Sequence, residues 1–183
     1  MVYIVENWRV SGVSGLRVRP QASGDQRLLL QLFSEARAGA FAALGWSPQQ
    51  LESFLYAQFK AQSLDYARRF PGARFDVIEI GNRTVGRFYV ARLAGGYVLI
   101  DIYIAAAWRG RGIATRLIRD LQAEAGGGKS PISLHVHVDS PARELYTRLG
   151  FTAVVEDGLQ VEMRWIPEYH RAYDGAGGDG SAE

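Results

Sequence analysis

The chain has 183 residues, of which 48% are hydrophobic and 22% charged, and no cysteine. That length suits one domain with a short extension, and that apolar fraction fills a full core, which excludes a disordered or collagen-like chain. Disulfides, thiolate metal sites and cysteine nucleophiles are excluded, and a formal charge of +2 is too small to argue for nucleic acid by itself. No apolar run approaches the roughly 18 residues of a membrane-spanning helix, so no membrane association is expected. The start, Met1 to Glu6, lacks a basic segment followed by a long apolar stretch. A cytoplasmic protein without a secretory signal is the expectation.

Residues 1–13 are mixed and read as an extension or an extra strand. Leu16-Arg17-Val18-Arg19 alternates and stops at Pro20, as a short strand does. From about Asp25, Leu28, Leu29, Leu32, Phe33, Ala36, Ala40 and Leu44 recur at helical spacing until Gly45-Trp46. Ser47-Pro48-Gln49-Gln50 starts a second helix, with Ser47 as cap, Pro48 in the first turn and Gln50 reaching back. That helix continues toward Phe70 and ends at Pro71-Gly72. Strands follow at Phe75–Ile80, Thr84–Leu93 and Tyr97–Ile104, separated by turns at Gly81-Asn82 and Gly95-Gly96. A helix from Gly112 to about Ala125 places Ile113, Leu117, Ile118 and Leu121 on one face, and Gly126-Gly127-Gly128 ends it. Ile132–Val138 reads as a strand. A helix opening at Ser140-Pro141 stops at Gly150, a left-handed cap. Phe151–Val155 and Leu159–Trp165 read as two closing strands. The tail from Asp174 is rich in Gly, Asp and Ser and reads as disordered. Helices alternating with strands in the second half imply some parallel pairing, so the fold class is α/β (α+β).

The stretch richest in chemistry is Arg109-Gly110-Arg111-Gly112-Ile113-Ala114-Thr115, which follows a strand and opens a helix. The first amides of a helix have no internal partners, and with the helix dipole they make an anion site. Gly110 and Gly112 let a phosphate approach the backbone with no Cβ in the way. Arg109, Arg111, Arg116 and Arg119 put four cations within eleven residues. The competing reading, a solvated turn with a basic helix face, does not account for the strand-turn-helix setting. It is not a Walker P-loop, because Lys-Ser/Thr is missing after the second glycine. A Rossmann fingerprint is also excluded, since the third glycine is missing.

This segment resembles the Arg/Gln-x-x-Gly-x-Gly/Ala acyl-CoA signature of the GNAT N-acetyltransferase superfamily. Ser140-Pro141-Ala142-Arg143-Glu144-Leu145-Tyr146-Thr147-Arg148-Leu149-Gly150-Phe151 resembles that family's Asn-Pro-Ala-x-x-Leu-Tyr-x-x-x-Gly-Phe helix. The two segments lie about thirty residues apart, as in the family, and the element order agrees from Leu16 to Trp165. The resemblance implies a GNAT domain over 14–168, followed by a tail over 169–183. Its sheet would be twisted, mixed and mostly antiparallel, with about seven strands and four flanking helices. It also implies acetyl-CoA or another acyl-CoA as cosubstrate and no metal. The pyrophosphate would lie on the amides of Gly110 to Thr115 and the pantetheine along Ile102-Tyr103-Ile104. This sequence departs from the family at Asp139-Ser140, where many relatives carry Asn; Ser140 can still cap the helix and contact the cofactor.

Acyl transfer from a thioester releases a thiolate, and the resemblance assigns Tyr146 the proton donated to it. The competing reading is a core tyrosine on the buried face of its helix. The base is either Asp101, a carboxylate in a mostly apolar strand that could instead form a structural ion pair, or His137. His135 and His137 share a face of their strand; one is expected packed and the other functional or exposed. His170 is expected on the surface. Trp46 offers a broad apolar or cation-attracting wall for the acceptor, against the reading that it staples two helices. The neighbouring aromatics Tyr56, Phe59 and Tyr66 are expected to be mostly core. The function expected is N-acetyl transfer from acetyl-CoA to a small-molecule or protein amine by direct attack, with a homodimer left open. The alternative is a non-catalytic acyl-CoA-binding or regulatory module. A nucleic-acid-binding domain using the arginines is a remote third.

Overall fold

A computed structural model describes residues 8–9 and 14–168. The N-terminal extension apart from residues 8–9, the tail over 169–183 and His170 lie outside the described residues. The strands are β1 (Trp8–Arg9), β2 (Leu16–Pro20), β3 (Arg74–Ile80), β4 (Arg83–Leu93), β5 (Gly96–Ile104), β6 (Ile132–His137), β7 (Thr152–Glu156) and β8 (Gln160–Trp165). The helices are α1 (Gln26–Arg37), α2 (Pro48–Arg69), α3 (Ile113–Gly127) and α4 (Ala142–Arg148). Seven strands of five residues or more and four helices thus follow the order read from the sequence. The chain divides into two compact units: the residues up to Ala91 with Ile100–Ala114, and Arg92–Leu99 with the residues from Thr115 onward.

In the first unit β1 pairs with β2, β2 with β3 and β3 with β4, all antiparallel. Leu29, Leu32 and Phe33, at helical spacing on α1, meet Leu55 and Phe59 of α2 and Val77 of β3 in one buried cluster. Burying each such side chain contributes about 1.5–3 kcal/mol. Ser47 caps α2 as its spacing predicts. Its hydroxyl accepts from the Gln50 N–H at 3.2 Å, and its own N–H donates to Gln50 Oε1 at 2.8 Å. The helix expected to run unbroken to Leu44 instead ends at Arg37 and tightens into a 3-10 segment, Ala38–Leu44. Gly39, about 1 kcal/mol less favourable than Ala in a helix interior, lies at the start of this change.

In the second unit the Tyr97–Leu99 part of β5 runs parallel to Ile132–Leu134 of β6, and β6–β8 and β7–β8 are antiparallel. Leu117, Ile118, Leu121 and Ala125 form the fully buried stripe of α3. The expected glycine stop falls slightly late, with α3 continuing through Gly127. Gly150 takes the left-handed φ of 83° that closes α4. Gln122 Nε2 donates to the Leu149 carbonyl at 2.7 Å, tying α3 to that turn.

Candidate functional site

The turn between β5 and α3 is built by two left-handed glycines, Gly110 at φ 73° and Gly112 at φ 75°. An L-residue is strained there, so glycine is what lets the chain turn its amides outward immediately before the 15-residue helix α3. A Cβ at either position would meet no protein atom within 4 Å and would project into open space. The arginines brace this turn from within. Arg109 Nε donates to the Ile104 carbonyl at 2.9 Å, and its guanidinium lies 5.1 Å from the centre of the Tyr103 ring. Arg111 Nη2 donates to the Ala107 carbonyl at 3.2 Å while stacking 4.7 Å from Trp108. Arg116 pairs with Asp120 one turn along α3. Two of the four expected cations therefore hold the loop's shape and a third is already paired.

Ile102, Tyr103 and Ile104 follow the part of β5 that pairs with β6. The Tyr103 hydroxyl is buried and has no hydrogen-bond partner among the described residues. Gly86 on β4 pairs with Ile78 beside a shift in the β3–β4 register and lies close against this segment. A Cβ at Gly86 would come within 2.2 Å of the Tyr103 carbonyl oxygen. Composition gave no hint of this, because only the register shows what Gly86 faces. Left-handed glycines, an outward-facing helix start and an orphaned hydroxyl are together a fit for an elongated anionic ligand laid along β5 and ending at α3.

Asp101 lies just ahead of this segment. Its Oδ2 accepts from Arg87 Nη2 at 2.6 Å and from the Tyr66 hydroxyl at 3.4 Å. Arg87 is 4% exposed, with Nη2 also reaching Gln62 Oε1 at 3.3 Å. Its Nε–H is buried without a partner among the described residues. Sequence reasoning missed Arg87, although the argument that selected Asp101, a charge inside an apolar strand, applies equally to an arginine beside Phe88. Burial, with Asp101 adding to it, pushes the Tyr66 hydroxyl well above its ordinary value, and burial pushes Tyr89 up to about 12. Tyr66 and Tyr89 also line a cavity of about 430 Å³, together with Gln21, Phe59, Ser63 and Phe75.

Tyr146, on α4, is buried, with its ring edge-on to Phe151 at 5.8 Å. The Ser140 hydroxyl accepts from the Ala142 N–H at 3.3 Å. The expected serine cap is corrected: Pro141 takes the N-cap position of α4, which has no side-chain cap bond. Asp139 is exposed, and its N–H donates to His137 Nδ1 at 3.3 Å. His135 and His137 do share a face of β6, but both are exposed. The expectation that one packs inside is corrected by the register, which gives the inward face to Leu134 and Val136. Trp46 is 40% exposed; it stacks on Phe41 at 6.0 Å and meets Phe54 edge-on at 4.9 Å. Of its neighbours expected in the core, Phe59 is buried, Tyr66 is half-buried and Tyr56 is exposed. No helix among the described residues is long and apolar enough to cross a membrane. No group of three or more His, Asp or Glu side chains among them is placed to hold a metal ion.

Residues 43–169 match the family described as the acetyltransferase (GNAT) domain. The chain therefore belongs to the GNAT acetyltransferases and is an acyltransferase. Its fold is similar to that of a PaiA N-acetyltransferase from Thermoplasma acidophilum, solved in complex with coenzyme A. The two are 18% identical, with 82% of this chain and 98% of that one covered at a TM-score of 0.63. An acetyltransferase from Thermus thermophilus is 21% identical, covering 84% and 98% at a TM-score of 0.61. RimL, a ribosomal L7/L12 α-N-protein acetyltransferase solved with coenzyme A, is 19% identical, covering 89% and 99% at a TM-score of 0.61. No curated protein sequence matches the chain.

Proposed function

We propose that this acyltransferase moves an acetyl group from acetyl-CoA to a primary amine by direct attack. The observation that carries this reading is the turn Arg109–Thr115, with its two left-handed glycines at the start of α3. The amides of Gly110, Arg111, Gly112, Ile113, Ala114 and Thr115 would bind the pyrophosphate. The backbone of Ile102, Tyr103 and Ile104 would hold the pantetheine and polarise the thioester carbonyl. Asp139 and Ser140 would contact the cofactor from the start of α4. The presence of coenzyme A in two structural neighbours supports this cosubstrate.

Asp101 would take a proton from the acceptor ammonium on Oδ1, since both of its hydrogen bonds fall on Oδ2. The alternative base is His137. Its Nδ1 already accepts the Asp139 N–H, which places the proton of a neutral ring on Nε2. The amine nitrogen would then form the new C–N bond as the C–S bond breaks, and Tyr146 would protonate the departing thiolate. Trp46 would wall the acceptor side.

Calorimetry with acetyl-CoA tests the reading, beside a thiol-release assay over a panel of amines; the protein contributes no thiol background, having no cysteine. Gly112→Asp should abolish binding by setting a carboxylate against the pyrophosphate. Unchanged affinity in the folded variant would remove the cofactor assignment. Binding without thiol release from any amine would favour the non-catalytic acyl-CoA module.

A further inference from the structure

We infer that Arg37 and Arg87, both held against the buried Phe33 ring, form a subsite for a carboxylate carried by the acceptor, so that the acceptor is a small amino carboxylate. This rests on the acyl-transfer reading above. The last turn of α1 brings the Arg37 guanidinium to 4.0 Å from the centre of the Phe33 ring. Strand β4 brings Arg87 to 6.0 Å from the same ring. Arg87 is the one cation that Asp101 pairs with among the described residues, beside its bond from the Tyr66 hydroxyl, and Arg37 has no hydrogen bond or ion pair among them. Two cations thus answer to one carboxylate, leaving one positive charge uncompensated on the half-buried Arg37, beside the buried Phe33 ring. Burial foremost, then the neighbouring Arg87 charge, hold Arg37 below its ordinary value against an opposing pull from Asp101 and Tyr66.

Arg87 supplies the second observation. It is 4% exposed, yet its Nε–H has no acceptor among the described residues. Buried guanidinium donors are ordinarily satisfied, so an unmet one marks a place where an acceptor belongs. A carboxylate is planar, matches the guanidinium fork and brings a single negative charge. A phosphate dianion would overshoot the single uncompensated charge. Asp101 stands next to Ile102 in the chain, so this subsite adjoins the segment proposed to hold the thioester. Tyr66 contacts Asp101 and Tyr89 lies under Arg87, and both also line the neighbouring 430 Å³ cavity, which Arg37, Arg87 and Asp101 do not themselves line.

The test uses leucine, phenylalanine and 4-aminobutyrate, each beside its carboxamide, with thiol release and calorimetry as separate readouts. At least one acid should show a KM tenfold or more below that of its amide. Arg37→Met should raise that KM at least tenfold and leave the KM of the amide within twofold, with Arg37→Lys falling between. Arg37 is half-buried at the end of a helix, so these variants should fold. Equal KM values for acid and amide in every pair would overturn the subsite, as would Arg37→Met shifting both members equally. If no member releases thiol, calorimetry decides. Acid binding lost in Arg37→Met would support the subsite while removing the acyl-transfer reading for these amines, and no heat with any acid would overturn the subsite.

Discussion

Arg87 and Asp101 show how one charge pair can hold the fold and serve chemistry together. The pair joins neighbouring strands inside the protein, with side chains 5% and 16% exposed. Removing Arg87 strands a carboxylate in a poorly solvated place, so Arg87→Met should destabilise by about 3–5 kcal/mol. Replacing both partners by Arg87→Met with Asp101→Leu should cost less than Arg87→Met alone, because no lone charge is left behind. Urea midpoints of the single and double variants measure this, and strictly additive losses would show that the pair is not coupled. Tyr146 allows a cleaner separation. Its ring packs against Phe151, so Tyr146→Phe keeps the packing and removes only the hydroxyl. Turnover should fall on the order of 100- to 10,000-fold with acetyl-CoA affinity unchanged. A variant with full turnover would leave Tyr146 a packing role alone.

Among the elements, the turn from the 3-10 segment into α2 was legible in part. Ser-Pro-Gln-Gln announces a capped helix start because its reciprocal hydrogen bonds are local and need no tertiary context. The end of β5 and the start of α3 were legible for the same reason, since glycine and the helix start act over a few residues. The partners of Trp46 were not, because a ring's neighbours depend on how α2 folds back. Stacked on Phe41 and edge-on to Phe54, Trp46 does join the 3-10 segment to α2. Gly86 and Arg87 were missed for the same reason: their importance lies in what the register sets opposite them. Trp46→Ala should therefore destabilise by about 2 kcal/mol, a fall in Tm of roughly 4–8 °C. A rise in the KM of the acceptor amine beyond that of acetyl-CoA would add the proposed acceptor wall to this packing role. An unchanged Tm would exclude the staple.

Across the whole molecule the formal excess is only two positive charges, and several arginines among the described residues are paired with carboxylates. Arg17 and Arg19 both meet Glu79, Arg92 meets Glu124, and Arg74 meets Asp76. Stability should accordingly depend on acid more than on base, and Asp25 shows the sign. Its two oxygens accept from Arg19 Nη1 and Nη2 at 2.7 and 2.9 Å, and the Ala22 N–H adds a third bond at 2.8 Å. The Arg19 bonds, foremost, hold this carboxyl below its ordinary 3.8, against the opposing effect of burial. The unfolded chain therefore takes up the proton near pH 4 while the folded chain still resists it. Between those points the unfolded state binds more protons, so stability falls as pH falls. The contribution is fully present above about pH 5, where both states are ionised. Exposed Asp157, held low by the N–H groups of Gln160 and Leu159, acts in the same direction. Asp25→Asn should lower stability at pH 7 by about 2 kcal/mol, the loss of charge-assisted hydrogen bonds from a nearly buried group. Because protonation removes the same charge from the parent chain, the gap between the two proteins should narrow steadily below pH 4. Urea unfolding from pH 7 down to pH 3 measures it. A gap that stays constant over that range would mean that Asp25 acts through its shape rather than its charge.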